Sequence, residues 1–103
     1  MELLKEDLLA LRELSTPTVA NAVEVFDKRG RNQGFMSPEI KCLFPDLGVL
    51  VGHAVTARFA AEQAPAQAAS RYDFWKYILE IPEPRVVVMQ DLDQPPGVGA
   101  YFG

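Results

Sequence analysis

Residues 85–103 read RVVVMQDLDQPPGVGAYFG. Val86, Val87, Val88 and Met89 form a near-continuous apolar run, the pattern of a strand covered on both faces in a largely parallel sheet. Asp91, Asp93, two prolines and a spaced set of glycines follow it. In open α/β sheets, ligands bind beyond the carboxyl ends of strands, so this is where chemistry is expected.

Working back from it, VLVGHAVTARFA (residues 49–60) alternates. Val51, His53, Val55, Ala57 and Phe59 fall on one face, and Gly52, Ala54, Thr56, Arg58 and Ala60 on the other. The small residues of the second face predict a close neighbour there. Between the two strands, APAQAASRYDFWKYILEI (residues 64–81) reads as a helix with Phe74, Tyr77 and Ile78 toward the core, ended by Pro82 and Pro84. Strand, helix, strand implies a right-handed crossover. The expected class is therefore α/β or α+β, with α/β preferred, helices leading and a mixed sheet joined through a crossover helix.

Two helices are expected upstream. Leu4, Leu8 and Leu11 share a face of the first. LSTPTV starts the second, with Ser15 or Thr16 as cap and Pro17 in the first turn. Val19, Ala22, Val23 and Phe26 form its stripe, and Gly30 is its expected stop. NQGFMSPEIKCLFPDLG (residues 32–48) reads as irregular with one short strand.

The 103 residues suit a single domain, 49% apolar and 23% charged. A net charge of −4 and scattered basic residues argue against a nucleic-acid surface. The one run, Lys28-Arg29-Gly30-Arg31, reads as a solvated helix end. Cys42 has no partner for an internal disulfide, which fits a reducing compartment, and reads as a buried or half-buried thiol. The N-terminus lacks the small-residue cleavage site of a signal peptide. No apolar run reaches the roughly 18 residues of a membrane span, so a cytoplasmic location is expected.

Gly97, Gly99 and Gly103 let backbone N–H groups approach an anion. GVGAYFG resembles a dinucleotide fingerprint, but no helix, second strand and acidic residue follow as that motif requires. Asp91 and Asp93 read first as turn formers and second as metal ligands or acid–base groups. His53 reads as a packed histidine, Trp75 and Tyr77 as core or subunit contacts, and Glu80 and Glu83 as solvated.

Three segments together go further. LSTPTVANAVEVF (14–26), LVGHAVTARF (50–59) and residues 85–103 resemble, in order and spacing, the family that contains 4-hydroxy-4-methyl-2-oxoglutarate aldolases and the ribonuclease E activity regulator A proteins. The resemblance implies a layered β/β/α swivelling fold assembled as homo-oligomers of three or six subunits. It implies a lyase that cleaves 4-hydroxy-2-oxo acids to pyruvate and decarboxylates oxaloacetate, using Mg2+ or Mn2+. The non-catalytic alternative within the same family regulates RNA degradation by binding a ribonuclease.

The resemblance carries Gly103 onto the glycine whose helix start meets the pyruvate carboxylate, with Gly99 and Ala100 shaping the turn as substrate-binding neighbours. The family's catalytic aspartate and its Arg-Asp pair have no counterpart here. The chain is therefore expected to match the N-terminal part of a member, to hold neither catalytic residues nor metal ligands, and to be inactive alone. It departs from the family at His53, usually proline, and at Asn21, often aspartate.

Overall fold

A computed structural model describes residues 2–61 and 68–97. These form a small mixed α/β chain of three helices and a two-stranded parallel sheet. The chain divides into two compact units, Met1–Val51 and Gly52–Gly103.

In the first unit, α1 spans Lys5–Leu11 and α2 spans Thr16–Glu24. The Asp7 carboxylate takes the Leu4 N–H at 3.0 Å, satisfying a donor that the first helical turn leaves open. Leu8 is buried and Leu11 half-buried, as the expected stripe requires, whereas Leu4 lies outside the helix and is exposed. Ser15 caps α2, its hydroxyl accepting the Thr18 N–H at 3.3 Å, and Pro17 occupies the first turn.

The second helix stops earlier than Gly30. The N–H groups of Val25, Phe26 and Asp27 bond the carbonyls three residues back, the tightening that closes a helix end. Asp27 then turns left-handed at φ 46°, which aspartate tolerates better than most residues. Of the expected stripe, Val19 is half-buried but Phe26 is 69% exposed, so no packing prolongs the helix. The short strand expected in residues 32–48 is absent. Proline fixes φ and cannot donate, and Pro45 instead starts a single 3-10 turn, Pro45–Leu47. Cys42, expected to be covered, is exposed.

In the second unit, β1 (His53–Phe59) pairs in parallel with β2 (Arg85–Asp91), in register from His53 opposite Arg85 to Phe59 opposite Asp91. The alternation read from the sequence holds along β1. His53, Val55, Ala57 and Phe59 are covered to differing degrees, while Ala54, Thr56 and Arg58 are exposed. Val55, at 0% exposure, is the one fully buried side chain among the described residues.

On the small-residue face Gly52 has a close neighbour, the segment entering β2, whereas Ala54, Thr56 and Arg58 are exposed. A Cβ at Gly52 would lie 2.6 Å from the Pro84 carbonyl oxygen and 3.0 Å from the Arg85 carbonyl carbon. Only glycine permits that approach, and it lets the His53 N–H reach the Pro84 carbonyl at 2.9 Å. The cover expected on both sides of β2 is incomplete: Val86 and Val88 are half-buried, but Val87 is 46% exposed.

The crossover helix α3 spans Arg71–Glu80. Residues 68–70 are not helical, so the helix starts later than its composition suggests, because Ser70 and Asp73 close a reciprocal cap. The Ser70 hydroxyl accepts the Asp73 N–H at 3.1 Å and donates to the Asp73 carboxylate at 2.7 Å, which also takes the Ser70 N–H at 3.0 Å. At the other end Ile81 is extended, with ψ 131°, as a residue before proline prefers. Phe74 and Ile78 are half-buried, whereas Tyr77 lies at the margin of solvent.

These hydrogen bonds, the Ser70 hydroxyl first and the Ser70 amide second, hold the Asp73 carboxyl below its ordinary pKa. Because the folded value is depressed, the cap's contribution is full above the unfolded carboxyl pKa of about 3.9 and is lost as pH falls through the lower folded value. Ser70→Ala is expected to cost about 1 kcal/mol at neutral pH. Asp73→Asn should flatten the acid limb of the α3 circular-dichroism titration, and an unchanged limb would refute this role.

Candidate functional site

The site expected from the sequence lies at the carboxyl end of β2. Beyond the last ladder position, the Leu92 N–H still bonds the Phe59 carbonyl at 2.9 Å, so the two strands leave the sheet together. Asp93, only 8% exposed, then reaches across to the end of β1. Its two carboxylate oxygens lie 2.9 and 3.1 Å from the Ala61 N–H, which donates to them. A buried carboxylate needs such donors to offset its lost hydration.

Asp91 organises the turn from the other side. One of its oxygens accepts the Asp93 N–H at 2.9 Å and the other accepts the Gly97 N–H at 2.6 Å. Gly97 sits at φ 112°, a conformation that L side chains rarely adopt. The pair thus acts as turn formers, the first of the two readings of these residues.

This arrangement bears on chemistry. The Gly97 N–H, expected to be open to an anion, is already given to Asp91. Two carboxylates at one turn also repel further negative charge. The substrate-binding residues carried over by resemblance, Gly99, Ala100 and Gly103, lie outside the described residues.

No group of three or more His, Cys, Asp or Glu side chains among the described residues is arranged to hold a metal. Every oxygen of Asp91 and Asp93 accepts a backbone N–H of the turn or of Ala61.

Comparison with protein families, curated proteins and solved structures finds no match.

The other candidates are placed as follows. His53 is half-buried at the start of β1, where its backbone N–H bonds the Pro84 carbonyl. Trp75, expected in the core or at a subunit contact, is 50% exposed, so the core reading fails. Its ring meets Tyr72 edge to face, with centroids 5.3 Å apart, and with Leu79 these form an apolar ridge on the outer side of α3. Spacings of three and four along YDFWKYIL could have revealed that ridge.

Glu83 is ion-paired with Arg85 at 3.4 Å, and the Arg85 Nε donates to the Ile81 carbonyl at 2.6 Å. Glu80 is exposed, as is Asn21. In the first unit a shallow groove runs between Leu9, Arg12 and Glu13 on one side and Leu47, Gly48 and Val49 on the other. It brings together no pair of groups suited to acid–base or nucleophilic work. No helix among the described residues is long and apolar enough to cross a membrane.

Proposed function

We propose that this chain carries the carboxylate-binding side of a pyruvate-forming lyase acting on 4-hydroxy-2-oxo acids, with oxaloacetate as a second substrate, in the layered swivelling fold of the family it resembles. The observation that carries the reading is the parallel pairing of β1 and β2 through α3, which leads a glycine-rich segment out of the carboxyl edge of a sheet. That edge is where α/β sheets bind ligands. Three segments resembling one family, in the same order, support it further.

In this reading the chain binds and orients, and does no bond breaking. The helix start at Gly103 meets the substrate carboxylate, with Gly99 and Ala100 as substrate-binding neighbours that shape the turn, while Asp91 and Asp93 fix where that segment begins. A magnesium or manganese ion, where bound in such an enzyme, would supply charge stabilisation to developing negative charge on the substrate oxygen. Its ligands would come from outside the described residues, in a ring of three or six subunits, the assembly the resemblance implies.

Amide NMR during a pyruvate titration tests this. Shifts should be largest at Gly99, Ala100 and Gly103 and small at Gly97, whose donor is engaged. Unmoved amides beyond Gly97 at a large excess of pyruvate would end the proposal. The chain alone should release no pyruvate from oxaloacetate above the rate with magnesium alone.

A second reading, a non-catalytic regulator that docks onto an RNA-degrading enzyme, is favoured by the exposed Tyr72–Trp75–Leu79 ridge. Exposed aromatic clusters often mark protein contacts. Co-purification of a ribonuclease, lost on Trp75→Ala, is the expected result; retention of no ribonuclease would count against it.

A further inference from the structure

We draw no further inference here: the strongest candidate, the solvent-exposed ridge of Tyr72, Trp75 and Leu79 on α3, carries nothing beyond the docking already considered, because nothing in the structure shows what covers it.

Discussion

Gly52→Val is expected to destabilise the second unit by about 3 kcal/mol, the upper part of the usual range for overpacking. The atoms that a side chain would strike, the Pro84 carbonyl and the Arg85 carbonyl carbon, are backbone. They cannot swing aside as a side chain would. Relief must come from separating the start of β1 from the segment entering β2, which breaks the 2.9 Å bond from the His53 N–H to the Pro84 carbonyl. Gly52→Ala should fall between the two. Urea unfolding followed by circular dichroism measures the loss, and hydrogen exchange at the His53 amide locates it. Equal midpoints for Gly52→Val and the parent would show that the close approach does not exist.

Asp93→Ala should cost about 2–3 kcal/mol, because it removes a charged acceptor and leaves the Ala61 N–H without it. The end of β1 would then be untied from the turn after β2, while the ladder from His53 to Phe59 remains. Asp93→Asn keeps one carbonyl oxygen and should recover roughly half of the loss. Exchange of the Ala61 amide should quicken far more than that of residues within β1. If Ala61 exchanges no faster in Asp93→Ala, the carboxylate is not its partner.

Much of the second unit was legible in the sequence, because its signals are local and strong. Alternation along residues 53–59 gave the covered face of β1, and Pro82 and Pro84 gave the end of α3. The start of α3 was misplaced because helix-forming alanines upstream outweigh Ser70 by composition, whereas a reciprocal Ser–Asp cap decides the boundary by geometry. Cover on β2 was over-read: an apolar run records what a strand could bury, not what is there to cover it. The same holds for the stripe on α2, where Phe26 meets solvent.

At the candidate site, the sequence showed two acids and glycines but not which atoms they use. That Asp93 serves a residue 32 positions earlier has no local signal at all. That Asp91 captures the Gly97 amide depends on a turn closing across six positions, which no pairwise spacing announces.

The parallel register also sets an order of events. Antiparallel neighbours can zip from a tight turn, but here each rung joins residues as far apart in sequence as Ala61 and Asp93, so the loop between them must close before any rung rewards it. Local turns of α3 need no such closure. Closing that loop to form the sheet is therefore the slow step, and weakening the rungs formed in it should act on how fast the unit folds.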